Sequence, residues 1–565
     1  MSRVLHPYAP NDWATLHFGG ASLGDKRRTE RLLDIGRTIA QTPGDSLPSL
    51  FSNWSHLKGV YRFFDCPDVT PEKVQATHRR QVHEEMREVG AAGKLRPVLL
   101  LEDTTDLSYR RRTSISDLEP AGDRLSAKMQ GFKMHSVFAV RQTEAKVSGK
   151  ERHAVEVLGL AHQEFHTTKA RPVEEREMEK KSKGAAQRMA ALRERESRLW
   201  IRSGATLGDA PSNPTVRWVR VADRGADIYE YLQDCQRRHH GFVVRSSHDR
   251  LIVNPSNREP EGHVQTHART LQALGQFDLK LNARPPRKNR PATPARTARL
   301  SVSAARVCLA SPRRTGKKLN GGEPIPCSVV RVWEPHPPEG IPPLEWFLLC
   351  DQPVETFEAA RECAQQYATR WVIEEFHKAL KTGLGAENIQ LESGKRLMTA
   401  VAVMAVVAVR LVALRELILA EPDAPAERIG LSSLALTVLS ARLDRPLPTV
   451  RAAVMGLGQL GGHLGRVRDG FPGWLTLYRG WRKLSELTQG VELARREREL
   501  LGERRARPAP EPISSRPVQS PGMSPPKRPQ SPPSGLLRIL SSPESTASSS
   551  RLLSPLFRDR ELLLM

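Results

Sequence analysis

Cysteine, acidic residues and long apolar runs are all in short supply in this chain. The six cysteines, Cys66, Cys235, Cys308, Cys327, Cys350 and Cys363, are scattered over 565 residues without a CxxC pair or a zinc-type Cys/His spacing. That pattern argues against a structural zinc site and for a reducing compartment. Acid is outnumbered: 63 Asp and Glu face 87 Lys and Arg, a formal net charge of +24 and a pI near 10.2. A polyanionic partner is therefore expected, although the charge alone suits a membrane surface or ribosomal RNA as well as DNA. The opening Met1-Ser2-Arg3-Val4-Leu5-His6-Pro7 lacks the charged-then-apolar pattern of an export signal, so secretion is not expected. The most apolar run, Leu397 to Val409, is only about a dozen residues long and is followed by Arg410 and Arg415; it is too short to span a bilayer and reads as a buried helix.

What is present is concentrated in three places. In Tyr367-Ala-Thr-Arg370-Trp371-Val-Ile-Glu374-Glu375-Phe376-His377-Lys378-Ala-Leu-Lys381, a helix turning about 100° per residue puts Tyr367, Arg370, Glu374, Lys378 and Lys381 in a stripe roughly 80° wide. Ile373, Phe376 and Leu380 fall on the far side. A carboxylate among a tyrosine, an arginine and two lysines suits a cation site beside a phosphate chain, but taken alone the segment favours a solvated face with Arg370–Glu374 and Glu374–Lys378 ion pairs. Arg96-Pro97-Val98-Leu99-Leu100-Leu101-Glu102-Asp103 reads as a buried strand ending at Asp103, before a Thr104-Thr105 turn. Trp218-Val219-Arg220-Val221-Ala222-Asp223 repeats the theme, followed by a helix with Asp227 as N-cap and by a strand, Phe242 to Arg245. Ligands of open α/β sheets bind beyond the carboxyl ends of strands, so Asp103, Asp223 and Glu374 form a candidate three-carboxylate cage for Mg²⁺. Each acid also has a structural alternative: Asp103 could cap the turn and Asp223 could pair with Arg224, while Glu102 should face the other side of its strand.

Leu101-Glu102-Asp103-Thr104-Thr105-Asp106-Leu107-Ser108-Tyr109, Val221 to Asp227 and the Tyr367/Arg370/Glu374/Lys381 set together resemble the three catalytic blocks of bacterial cut-and-paste DDE transposases, specifically the insertion-sequence-four family with its YREK signature. The likeness runs from about Trp13 to Ala494. It implies a ribonuclease-H-like α/β catalytic core with an inserted β-rich subdomain, flanked by helical N- and C-terminal domains. It implies Asp103, Asp223 and Glu374 as catalytic residues and ligands of two Mg²⁺ ions, with Mn²⁺ able to substitute. Tyr367, Arg370, Lys378 and Lys381 would hold phosphates, and Trp346 would stack on a base flipped out during hairpin formation. Arg245 is a further candidate DNA contact. The implied partners are double-stranded DNA, as transposon inverted-repeat ends and as target, and a second copy of the chain in a synaptic homodimer, with no membrane role and a cytoplasmic, nucleoid-associated location. The implied activity is 3′-end nicking, hairpin formation and resolution, and strand transfer. A ribonuclease-H-like nuclease without joining activity, or an inactive DNA-binding regulator, shares parts of the same pattern.

The organisation expected is a helical end-binding domain over 1–80, a catalytic domain over 81–398 with its β-rich insertion at about 246–343, a helical dimerisation region over 399–500, and a disordered Pro/Ser/Arg-rich tail over 501–565. In the first of these, Ser22-Leu23-Gly24-Asp25 looks like a capping box opening a helix whose apolar face is Leu32, Ile35 and Ile39. Arg27, Arg28 and Arg31 on its other face, with Tyr61 and Arg62 further on, are candidate DNA contacts. A charge-dense, solvated helix is expected between Val173 and Trp200, with Glu174 to Lys181 as its charged part. Arg284, Arg287, Lys288, Arg290, Arg296 and Arg299 form a basic run inside the insertion. Trp474, Tyr478 and Trp481 make a helical stripe of the core-packing kind.

Overall fold

The computed structural model describes residues 10–51, 53–88, 97–110, 115, 117–120, 129–147, 152–167, 197–281, 283, 286, 292–312, 322–466 and 469–506. The charged segment 174–181, the basic positions Arg284, Arg287, Lys288 and Arg290, and the tail beyond Ala506 lie outside the described residues. Contacts divide the chain into two units. The first runs to Thr488; of the second, which starts at Gln489, residues 489–506 are described and are helical. Helix thus replaces the expected tail over 501–506.

Among the described residues the strands are β1 Val98–Arg110, β2 Glu119–Pro120, β3 Met129–Lys146, β4 His153–His166, β5 Trp218–Ala222, β6 Gly241–Arg245, β7 Leu251–Val253, β8 Pro260–His263, β9 Gly275–Leu281, β10 Arg296–Leu309, β11 Ile325–Trp333 and β12 Glu345–Cys350. The helices are α1 Pro10–Phe18, α2 Lys26–Gln41, α3 Leu47–Leu50, α4 Trp54–Asp65, α5 Pro71–Glu85, α6 Ser197–Leu207, α7 Tyr229–Arg237, α8 Val264–Thr270, α9 Phe357–Thr369, α10 Trp371–Lys378, α11 Gly394–Ala420, α12 Ser433–Leu443, α13 Val450–Leu460 and α14 Trp474–Ala506.

The apolar runs become the inner strands, as covering on both faces requires. Every residue of β5 and β6 is buried. β1 and β5 pair in parallel, β5 and β6 likewise, and on its other edge β1 pairs antiparallel with β3, which turns back into β4. β1 does not stop at Asp103: its ladder with β3 continues to the pair Arg110–Met129, so Thr104 and Thr105 belong to the strand. A long antiparallel partner keeps the backbone groups of those polar residues satisfied, so no turn is needed there.

Beyond β6 the sheet continues through β12, β11, β10, β7 and β8, with β9 on the edge of β10, twelve strands in all. The β-rich stretch of 246–343 therefore extends the central sheet; Arg296 and Arg299 of the expected basic run are strand residues of β10, Arg296 paired with Glu334.

α11 is the one described helix long and apolar enough to cross a membrane, but 89 % of its most apolar stretch is buried inside the protein, against β4, α5 and α2. The N-terminal helices close over Trp13, Phe18, Leu32, Ile35, Ile39, Val60 and Phe64. α2 is capped by Asp25, whose carboxylate accepts the Arg27 N–H, and not by Ser22; Asn53 caps α4 through the amides of Ser55 and His56. The cap expected at Asp227 is likewise absent. α7 starts after Ile228, and buried Asp227 instead accepts from the amides of Ser247 and His248 and from Arg250. Toward the C-terminus Trp481 and Leu484 pack into the core, in line with the aromatic stripe.

Candidate active site

Strand register brings the first two acids together. The parallel ladder of β1 and β5 ends at the pair Glu102–Ala222, so Asp103 and Asp223 are each the next residue, on strands about 5 Å apart. Period-two alternation sends Glu102 the other way, as expected, where Arg220 forks onto it: Nη2 donates to Oε2 at 3.0 Å and Nε to Oε1. The same Nη2 donates to Ser203 Oγ at 2.6 Å and to the Trp200 carbonyl at 2.7 Å, tying α6 to both strands. Burial alone would raise the Glu102 carboxyl, but Arg220 and His135 outweigh it and hold it down at about 2.

The third acid arrives on a broken helix. α9 ends at Thr369, Arg370 forms the junction, α10 carries Glu374, and Ala379–Gly383 winds as a π turn. Such wide turns re-aim side chains. Lys381 accordingly points at β1, donating to Thr105 Oγ1 at 2.7 Å and the Asp106 carbonyl at 2.5 Å. Lys378 leaves the expected stripe: its ammonium donates to Glu375 Oε1 at 2.9 Å and stacks on Trp371, so it does not face Glu374.

Asp103 and Glu374 meet over Arg370, with Nη1 3.7 Å from Asp103 Oδ2 and Nη2 donating to Glu374 Oε1 at 3.2 Å. The His377 ring enters the same space, its Nδ1 3.5 Å from Asp103 Oδ2. Ligand atoms of Asp103, Glu374 and His377 all lie within 4.8 Å of one another. Asp223 stands outside that group of three. Its Oδ1 accepts the Gly225 N–H at 2.8 Å, and a Cβ at Gly225 would come within 3.0 Å of that oxygen and of the Trp200 ring, so the position favours glycine.

Burial opposes a charge on Arg370, yet Tyr367, Asp103, Glu374 and Asp223 together hold its pKa above the usual arginine value. All three acids thus act on one guanidinium. Burial raises the Asp103 carboxyl and outweighs Arg370. Burial and the neighbouring Asp103 raise Glu374. Burial drives His377 down to about 3, so its imidazole is neutral. Two crowded carboxylates that resist ionising and a neutral imidazole form a donor set that fits a divalent cation, which would relieve the repulsion.

Three other expected contacts are buried. Trp346 is 1 % exposed within the apolar core, paired with Val332, and a base cannot reach it there; the indole is a core aromatic of β12. Arg245 is 2 % exposed at the end of β6 and is no surface contact either. Tyr367 is buried on α9, close enough to Arg370 to act on its charge. The inner strands need bulky side chains on both faces, and Trp346 and Arg245 fill them. On α2, Arg27 is free of the core at 91 % side-chain exposure, beside Lys26 at 90 %. Arg28 is tied to Asp68 and Arg31 to Asp34, and Arg62 is exposed while Tyr61 half-packs on the core. His377 carried no signal in the sequence beyond its place one turn after Glu374, the spacing that puts two helical side chains on one face.

Residues 10–69 match the transposase DNA-binding family model, a stretch that contains α1 to α4 and all five basic or aromatic positions singled out above. The match supports a transposase whose N-terminal helices bind DNA.

Proposed function

We propose that the chain is a DDE transposase of the insertion-sequence-four, YREK kind, cutting and joining DNA at Asp103, Asp223 and Glu374 on a ribonuclease-H-like sheet. The observation that carries this reading is the β1–β5 register, which sets Asp103 beside Asp223 on a chain whose N-terminus matches a transposase DNA-binding domain. The antiparallel β3 on one side of β1 and the parallel β5 and β6 on the other support the ribonuclease-H-like description.

Asp103, Glu374 and Asp223 would hold divalent cations, Mg²⁺ or Mn²⁺. Of two cations held there, one would lower the pKa of an attacking water or 3′-hydroxyl and the other would stabilise the leaving oxygen of an in-line displacement. Arg370 keeps the two closest carboxylates in position, and its guanidinium matches phosphate geometry. Lys381 fixes the end of the signature segment to β1 and adds a positive charge beside the site. Lys26 and Arg27 steer the DNA end by phosphate contact. The sequence of steps is nicking, hairpin formation and opening, then strand transfer, in a homodimer acting at the nucleoid.

The test incubates the full chain and Mg²⁺ with a duplex carrying the inverted repeat that flanks its reading frame, alongside Asp223→Ala. Hairpins and strand-transfer products that vanish in the variant support the proposal. Cuts without joining point to a nuclease, and intact retarded DNA in both samples to a regulator.

A further inference from the structure

We infer that His377 is a direct ligand of the cation held at Asp103 and Glu374, making this a mixed nitrogen–oxygen site in place of an all-carboxylate one. The inference rests on the cation site proposed above and adds a residue to it. Three observations carry it. The ring is only 4 % exposed, enclosed by the site and the core. Its nitrogens are uncommitted among the described residues: Nε2 has no hydrogen-bond partner there, and Nδ1 stands 3.5 Å from Asp103 Oδ2, beyond a good hydrogen bond. A buried imidazole in that condition forgoes stabilisation that a metal bond would supply. Finally, its ligand atom shares a 4.8 Å cluster with one oxygen each from Asp103 and Glu374, small enough for all three to reach one ion.

The helix explains how the ring gets there. Glu374 and His377 are three apart on α10, so both project from the same face toward β1. Asp223, fixed to the Gly225 amide, lies outside the cluster, which leaves the third position near Asp103 to the imidazole. Imidazole nitrogen binds transition ions better than Mg²⁺, whereas carboxylates serve both. His377 therefore tilts the site toward Mn²⁺, and removing it should cost Mn²⁺ more affinity than Mg²⁺.

The experiment loads the full-length protein with Mn²⁺, counts bound ion from the loss of the free-ion EPR signal, and records nitrogen modulation by pulsed EPR. We expect ¹⁴N modulation in the unaltered protein, its loss in His377→Gln, and Mn²⁺ affinity lower by about tenfold or more, with Mg²⁺ competition shifted less. Bound Mn²⁺ that Asp103→Asn abolishes but that shows no ¹⁴N modulation in the unaltered protein would overturn the role of His377 and leave the carboxylate site standing. That spectrum does not depend on how any variant folds. Modulation persisting in His377→Gln would assign the nitrogen to another residue and equally overturn the inference. Failure of the unaltered protein to bind Mn²⁺ at all would remove the cation site and this ligand together.

Discussion

Asp103 is subject to opposing pulls: Arg370 favours its ionised form and burial disfavours it more strongly. Glu374 is raised as well. A carboxyl whose folded pKa is raised contributes stability below its unfolded pKa and loses it as pH rises through the folded value. Near neutrality the metal-free pair therefore costs stability, and a cation should return it. Mg²⁺ should raise Tm at neutral pH and raise it less in acid, which a thermal scan with and without the ion checks. Buried His78 behaves in the opposite sense. Its Nε2 accepts the Leu160 N–H at 3.0 Å, its Nδ1 lies 3.0 Å from His17 Nδ1, and burial with Arg79 beside it pushes it down to about 3. The unfolded chain takes up that proton near pH 6.5 and the folded one does not, so stability falls as pH drops from about 6.5 toward 3. His78→Gln should flatten urea midpoints over that range by one proton, about 1.4 kcal/mol per pH unit.

Two side chains next to the proposed ligands decide where whole elements sit. Glu102 joins β1 to β5 and α6 through Arg220, and both partners are fully buried. Gly204 of α6 belongs to the same fit, because a Cβ there would clash with Asp234 and Arg220. Glu102→Gln removes the closer of the two carboxylates on Arg220 and leaves only Asp234, at 3.4 Å, as its buried counter-charge; it should cost about 3 kcal/mol in urea unfolding, the lower end of the usual loss when one partner of a buried pair is removed. Glu375 does for α10 what Glu102 does for β1. Its carboxylate accepts from Trp371 at 3.0 Å, from Lys378 at 2.9 Å, and from Arg415 of α11 and Trp474 of α14. Burial would raise it, but Arg415 and the other donors hold it at about 2. Glu375→Ala should lower stability by roughly 2 to 3 kcal/mol and, by displacing Glu374, slow the proposed DNA cleavage, with affinity for the proposed cation reporting the displacement directly.

Over the whole chain the charge is uneven in what it can do. Many arginines are absorbed by buried or half-buried acids, such as Arg152 by Glu416 and Arg217 by Asp351. Lys26 and Arg27, only loosely paired with Glu30 at 3.8 Å and Asp25 at 3.9 Å, project almost fully exposed from the stretch that matches the transposase DNA-binding family. Reversing both to Glu should weaken DNA binding across sequences and reduce the slope of log K against log salt by about 2, since each lost phosphate contact removes close to one released counterion. The proposed cleavage, measured with DNA at saturating concentration, should change less, because these residues lie in a different part of the chain from the three acids.

Much of this was already readable as pattern. The apolar runs at Val98–Leu101 and Trp218–Ala222 could be satisfied only as strands covered on both faces, and the run at Leu397–Val409 only as a buried helix, because local hydrophobic periodicity determines burial. Asp103 and Asp223 stood out as acids closing mainly apolar strands, and Glu374 as a carboxylate in a helical stripe with a tyrosine, an arginine and two lysines. Long-range pairing decided the rest. The Glu102–Ala222 register placed Asp103 beside Asp223, and the ladder with β3 carried β1 past the point where a turn was expected. A π turn took Lys381 to β1, the Glu375 pocket drew Lys378 away, and the closed core enclosed Trp346 and Arg245. A side chain's neighbours across a sheet come from distant segments, so spacing along the chain could identify which residues were chemically unusual but not which of them meet.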